Sequence, residues 1–325
     1  MLAFIFPGQG SQYAGMGKDL ATNFSAAREV FEEADDVLGF PLSHLCFEGP
    51  VEQLQLTENT QPAILATSIA SLRAMETIGF PQPSFLAGHS LGEYSALVAG
   101  GGLSLADALR IVRVRGQYMQ EAVPVGTGAM AAVMGAELVD IERLCATASE
   151  GQVCAAANIN SPNQVVIAGD AAAVDRAMEL LKAAGAKRVI KLNVSAPFHC
   201  ALMRPAQEKL AADLANVEFH ELKTPVVTNA DVAVVTHGDK ARAALIKQVS
   251  SPVRWLESIE LLIGKGADTF VEVGPGKVLS GLLRQINRDV RSVNVEDSTV
   301  SAKLELVRAD NQQSNSSSAN SGLSH

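Results

Sequence analysis

The run Gly88-His89-Ser90-Leu91-Gly92 sets a serine between two glycines in the spacing G-x-S-x-G. That spacing marks a nucleophile elbow, a sharp turn between a strand and a helix that holds a serine hydroxyl clear of a sheet. Glycines two residues to either side remove Cβ atoms that would collide with the neighbouring strand and helix. The hydroxyl then lies at a helix N-terminus, and the N–H of Leu91 points into the same space, where it can stabilise an oxyanion. A plain surface turn can carry the same five residues. Here the apolar run Phe85-Leu86-Ala87 precedes the turn and a helical pattern follows it, so Ser90 is expected to be a nucleophile; the turn by itself does not separate a hydrolase from a transferase.

A serine hydroxyl needs a base to take its proton, and histidine is the usual one. Of six histidines, His325 lies in the polar tail, and His44, His220 and His237 lie in polar surroundings that suit solvated side chains. His89 adjoins Ser90, but side chains of consecutive residues around a tight turn diverge, so a structural role is expected for it. His199 follows a predicted strand at 187–194 and the loop Ser195-Ala196-Pro197-Phe198, which suits a base at a strand end. No acidic residue stands out as a third member. A backbone or amide carbonyl could instead hold the imidazole Nδ1–H and set the tautomer.

The segment 106–123 has helical periodicity and carries arginines at 110, 113 and 115. Residues three and four apart share a face, so Arg115 projects from a stripe with Ile111, Val112, Tyr118 and Met119. A buried guanidinium without a partner costs several kcal/mol. No carboxylate lies at helical spacing. Either a distant Asp or Glu pairs with Arg115, or a substrate brings the carboxylate; the pattern leaves both open. Arg110 and Arg113 fall on the more polar side, where solvation accounts for them.

These residues need a scaffold, and the chain of 325 residues has room for a large domain with an insertion. A buried strand at 2–6, helical spacing at 59–78, a second strand at 84–87 and a helix opening at Glu93 predict a three-layer, hydrolase-like α/β domain with a parallel sheet. The middle changes character. Strands at 128–134, 152–158, 164–168 and 187–194 alternate with helices at 138–149 and 171–185 in the order β-α-β-β-α-β, the ferredoxin-like pattern. The expectation is a small α+β domain at 125–195 inserted into a catalytic domain formed by 1–124 and 196–298. Residues 299–325 form a tail, with 309–325 nearly all polar or small and expected to be disordered.

Composition excludes several other jobs. A net charge of −9, one Trp and three Tyr argue against nucleic-acid binding. The cysteines at 46, 145, 154 and 200 form no C-x-x-C pair and have no histidine at metal-ligand spacing, so buried thiols in a reducing cytoplasm are expected and a metal is not. Met1–Phe6 lacks a basic leader region, and no apolar run reaches a membrane span. Gly8-Gln9-Gly10 lacks the third glycine of a dinucleotide loop, and Gly274-Pro275-Gly276-Lys277 is a turn rather than a phosphate loop.

Taken in order, Phe6-Pro7-Gly8-Gln9-Gly10-Ser11-Gln12, Gly88-His89-Ser90-Leu91-Gly92-Glu93, Arg115-Gly116, Asn158-x-Asn160-Ser161-Pro162, Phe198-His199, Asn229, Gln248-x-x-x-Pro252-Val253-x-Trp255 and Glu272-Val273-Gly274-Pro275-Gly276 resemble the malonyl-CoA:acyl carrier protein transacylases of type II fatty-acid synthesis. The resemblance covers about residues 1–298. It implies that Ser90 accepts a malonyl group from malonyl-CoA and passes it to the phosphopantetheine thiol of acyl carrier protein. It implies His199 as base, oriented by the backbone carbonyl of Gln248. It also implies an oxyanion hole from the N–H groups of Gln9 and Leu91, and Arg115 on the malonyl carboxylate. Phe198, Met119 and Asn160 become pocket candidates, and Phe198 before the base resembles malonyl-selective relatives. No cofactor is implied, and a cytoplasmic monomer is expected. An acidic carrier protein would suit a basic patch, for which Lys182, Lys187, Arg188, Arg284 and Arg288 are candidates; solvated surface charge explains them equally well.

Overall fold

The computed structural model describes residues 1–194 and 196–308. Its strands are β1 (Leu2–Phe6), β2 (Phe85–Gly88), β3 (Gly128–Met134), β4 (Cys154–Ser161), β5 (Gln164–Asp170), β6 (Arg188–Lys191), β7 (Val226–Val227), β8 (Val234–Val235), β9 (Thr269–Val273) and β10 (Arg291–Val295). One sheet has the order β10-β9-β1-β2-β7-β8. From β10 to β7 every pairing is parallel, and β8 returns antiparallel to β7.

Side chains alternate across a strand, and in β1 both faces are apolar. Phe4 and Phe6 join the core beneath the helices Thr57–Thr77, Gly92–Ala99 and Leu105–Glu121. Ala3 and Ile5 point the other way, into a separate core with Trp255, Ile259 and Leu262 of the helix Trp255–Gly264 and Leu279 and Leu283 of the helix Val278–Ile286. A sheet with an apolar pattern on both faces has to be covered on both, and the result is the expected three-layer α/β architecture.

The second sheet has the order β4-β5-β3-β6 with every neighbour antiparallel, the strand arrangement of a ferredoxin-like fold. The helices Leu138–Ser149 and Ala171–Ala183 cover one face through Ile141, Leu144, Val174 and Leu181. The other face presents Met130, Ala132, Val166 and Ala168, which belong to the core of the large domain. A short parallel bridge ties the two units together: Ile159 N–H donates to the Val253 carbonyl at 2.9 Å and Val253 N–H to the Ala157 carbonyl at 2.8 Å. β6 is shorter than the strand expected at 187–194 because its pairing with β3 ends at Lys191.

One boundary needs correction. The tail expected from residue 299 begins with a helix over 300–308, and Val300, Leu304 and Val307 are buried in the large core. Their spacing of four and three residues makes one apolar face. The expectation of disorder for 309–325 falls outside the described residues. The four cysteines are free and buried.

Close backbone contact holds β1, β2 and the helix Gly92–Ala99 in place. A Cβ on Gly88 would lie 1.9 Å from the Gly92 carbonyl carbon, and one on Gly92 would lie 2.1 Å from the Phe6 carbonyl oxygen. Neither obstacle is a flexible side chain, so Gly92→Ala should destabilise the protein by about 1–3 kcal/mol or more. Gly281, in the helix Val278–Ile286, has nothing within 4 Å of its added Cβ, so Gly281→Ala should be neutral or slightly stabilising. Urea denaturation midpoints of the two variants check this, and equal midpoints would contradict it.

Candidate active site

Parallel strands deliver their loops to one edge, and Gln9 follows β1, Ser90 follows β2 and Asn229 follows β7. Ligands of open α/β sheets bind at these carboxyl ends. The Ser90 backbone takes φ +51°, a left-handed conformation that a non-glycine residue adopts only when its surroundings enforce it. His89 N–H donates to the Phe6 carbonyl at 3.0 Å, and Gly92 N–H closes the turn on the His89 carbonyl at 2.9 Å. Ser90 N–H donates to Asn229 Oδ1 at 2.7 Å, while Asn229 Nδ2 donates to the Gly88 carbonyl at 2.7 Å. One asparagine side chain thus spans the turn.

The Ser90 hydroxyl lies 2.7 Å from His199 Nε2. His199 Nδ1 lies 3.0 Å from the Gln248 backbone carbonyl, which can only accept, so Nδ1 carries the proton and Nε2 is free to receive one. His199 also has a left-handed backbone, φ +59°, and is buried. Burial, and after it the positive Arg115, pushes its pKa down from 6.5 to about 3. The imidazole therefore waits in the neutral form that a general base requires.

Arg115 is 1% exposed on the helix Leu105–Glu121. Its neighbour Gly116 lets that helix touch backbone: a Cβ there would lie 2.7 Å from Glu58 Cα. Of the two alternatives, a distant Asp or Glu does not bond Arg115 among the described residues. Arg115 Nη1 donates to Gln61 Oε1 at 2.7 Å, and Nη2 to Gln248 Oε1 at 2.9 Å and to Ser90 Oγ at 3.1 Å. The guanidinium carbon sits 5.5 Å from the centre of the Tyr94 ring. Burial lowers the Arg115 pKa, and the nearby Tyr94 and Glu93 act against that. The guanidinium is thus held by neutral oxygens, with its positive charge not neutralised by a bonded carboxylate. Arg113, expected to be solvated, is half-buried and stacks 4.3 Å over the Phe40 ring.

A cleft of about 130 Å³ opens onto these groups. Gln9, Leu91, Phe198 and Met119 line it, together with Met130, Val166 and Leu192 from the small sheet and the strand end beside it. Among the described residues, neither the Gln9 nor the Leu91 backbone N–H donates to a protein acceptor. Asn160 is a correction: it does not line the cleft but holds His89 Nε2 at 2.8 Å and donates to Gln164 Oε1 at 3.1 Å. Asn158 lines the cleft instead; strict alternation would put both asparagines on one face, but the register of β4 against β5 shifts between Ile159 and Ser161, around Asn160. No group of side chains suited to a metal ion occurs among the described residues. Of the basic docking candidates, Lys182 is paired with Glu179 at 2.8 Å.

Sequence reasoning gave no role to three residues, of which it named Asn229 and Glu93 only as motif positions. Gln61, buried in the helix Thr57–Thr77, holds Arg115. Asn229 holds the elbow. Glu93 lies fully buried beneath the site; its Oε2 accepts Asn229 N–H at 2.9 Å and Gln248 Nε2 at 2.8 Å. Burial pushes its pKa up from 4.5 to about 7, with those two donors and Arg115 pulling the other way. A signal existed for Glu93, since it is the single charged residue in the helix Gly92–Ala99.

Comparison with known proteins gives the family. The model of the acyl transferase domain matches residues 3–320, beyond the 298 expected from the motifs. The malonyl CoA-acyl carrier protein transacylase of Escherichia coli (strain K12) is 50% identical over 305 residues, covering 94% of this chain and 99% of that one. The crystal structure of an acyl carrier protein S-malonyltransferase from Vibrio cholerae superposes with a TM-score of 0.91 at 49% identity, covering 94% of this chain and 99% of that one. A malonyl-transacylase solved in complex with its type II polyketide acyl carrier protein gives 0.90 at 48% identity, covering 93% and 97%. The match runs along nearly the whole length of these relatives, and the chain belongs to the acyl transferase domain family, among the malonyl-CoA:acyl carrier protein transacylases.

Proposed function

We propose that this enzyme transfers a malonyl group from malonyl-CoA to the phosphopantetheine thiol of acyl carrier protein, supplying the extender unit of fatty-acid elongation through a malonyl ester on Ser90. One observation carries the reading beyond a generic serine hydrolase: a buried arginine, bonded only to neutral oxygens, stands 3.1 Å from the nucleophile. A free carboxylate on the acyl chain is the ligand such a group selects, because an ion pair with it is stronger than the bonds of the cation to neutral oxygens.

The geometry orders the steps. Ser90 Oγ attacks the thioester carbonyl as His199 Nε2 takes its proton. The carbonyl oxygen becomes an anion facing the N–H groups of Gln9 and Leu91, each such donor contributing on the order of 3 kcal/mol. The C–S bond breaks, and the proton passes from His199 to the departing coenzyme A sulfur. The carrier's thiol then gives its proton to His199 and attacks the ester, and Ser90 Oγ regains the proton. Thioester, ester and thioester are close in free energy, so the site has to supply rate and exclude water. Phe198, Met119, Met130, Val166 and Leu192 give the cleft its apolar wall.

The protein needs no resident cofactor in this scheme, because the carrier brings the phosphopantetheine. We read it as a monomer acting in the cytoplasm; no helix among the described residues is long and apolar enough to cross a membrane. The exposed Lys187, Arg188, Arg284 and Arg288 remain the proposed contacts for an acidic carrier.

Three measurements test this reading. Intact mass after mixing with malonyl-CoA should show a stable malonyl adduct that Ser90→Ala abolishes; rapid release of free malonate without carrier would mark a hydrolase instead. Arg115→Ala should lower kcat/KM for malonyl-CoA by about 100-fold or more while raising acetyl transfer relative to it, and an unchanged preference would show that Arg115 serves the fold alone. Because His199 is held neutral down to about pH 3, kcat/KM for malonyl-CoA should lack an acid limb near 6.5 and stay level to about pH 5. Stability moves differently. The depressed His199 pKa removes stability as pH falls from 6.5 toward 3, whereas the raised Glu93 pKa removes it as pH rises from 4.5 toward 7. The two effects have opposite signs and their windows overlap between about pH 4.5 and 6.5, so they offset there and the activity profile is the sharper readout.

A further inference from the structure

The nucleophile, the base and the selecting arginine sit on three separate segments, and all three meet the side chain or backbone of Gln248. Its backbone carbonyl orients His199, and its Oε1 receives Arg115. Its Nε2 donates to Glu93 Oε2 at 2.8 Å and to the Ser90 carbonyl at 2.9 Å. A glutamine amide is nearly symmetric in shape, so shape alone does not tell Oε1 from Nε2. Donor and acceptor placement decides it. If the amide turned over, an NH2 group would face the Arg115 guanidinium, donor against donor, and an oxygen would face Glu93 and the Ser90 carbonyl, acceptor against acceptor.

We propose that Glu93 is a positioning residue for malonyl selection, because its Oε2 locks the Gln248 amide with the oxygen toward Arg115 and anchors Asn229 under the Ser90 turn. The same oxygen takes both donors, Asn229 N–H at 2.9 Å and Gln248 Nε2 at 2.8 Å. Asn229 in turn accepts the Ser90 N–H. One acceptor atom therefore sets the orientation of the arginine cradle and the height of the nucleophile. Gln248 also acts as a spacer. It puts a carboxylate one amide away from Arg115, close enough to favour a buried cation yet leaving the guanidinium unpaired for a substrate carboxylate. Glu93 touches no substrate in this arrangement and acts through Gln248 and Asn229.

The inference rests on the malonyl-transfer reading and is tested by crossing acceptor against charge. Glu93→Gln keeps an oxygen at full reach and removes the charge. Glu93→Asp keeps the charge and withdraws the oxygen by one methylene. The measured quantity is the ratio of kcat/KM for malonyl-CoA to that for acetyl-CoA, with melting temperature recorded beside it. The expected result is that Glu93→Gln holds the wild-type ratio within about threefold while Glu93→Asp loses about tenfold or more, an energy of about 1.4 kcal/mol. The reverse order would mean that the charge of Glu93 matters and the lock does not. Equal ratios in wild type and both variants would reduce Glu93 to a part of the fold and overturn the proposal, whatever the melting temperatures. Wild-type enzyme that transfers no malonyl group would instead sink the transfer reading itself.

Discussion

A cation held out of water without a carboxylate against it is the constraint around which this site is arranged. An unpaired buried guanidinium is costly, and pairing it internally would remove its use. The structure meets both demands with amide and hydroxyl oxygens from Gln61, Gln248 and Ser90, and with the ring of Tyr94 nearby. These partners come from separate stretches of the chain, so the helices that carry them must be packed in fixed positions. The close backbone contact at Gly116, between the arginine helix and the start of the helix Thr57–Thr77, is one cause of that fixity.

The same arrangement tunes the base. His199 is buried beside Arg115, and both burial and the positive charge disfavour imidazolium. A carboxylate behind the ring, as in a serine–histidine–acid triad, would raise its pKa and would also offer Arg115 an internal partner. A backbone carbonyl orients the ring with no net charge. The serine–histidine dyad and the unpaired arginine therefore belong to one electrostatic solution. Strain accompanies it: Ser90 and His199 both hold left-handed backbones, each costing about 1–3 kcal/mol, offset by the surrounding packing and hydrogen bonds.

The second sheet completes the site by shape. Its outer face is covered by two helices, while its inner face contributes Met130 and Val166 to the cleft. An insertion between the arginine helix and the base thus forms one wall of the chamber in which the ester must be kept from water. The β4–Val253 bridge fixes that wall to the large domain beside the helix Trp255–Gly264.

Much of this was legible in the sequence, for a local reason. Strand and helix periods, the elbow glycines and the β-α-β-β-α-β order are properties of short windows, and steric rules act on neighbours in the chain. The apolar stripe around Arg115 likewise announced a buried cation. What the sequence alone left open was its partner, because hydrogen bonds between residues 54 and 133 positions apart have no local signature. The role of Glu93, the turning of Asn160 away from the cleft and the helix over 300–308 were decided only in three dimensions. Ser90 could be named from five residues; how its turn is anchored, and which oxygens leave Arg115 free beside it, depended on donors and acceptors that only packing brings within 3 Å.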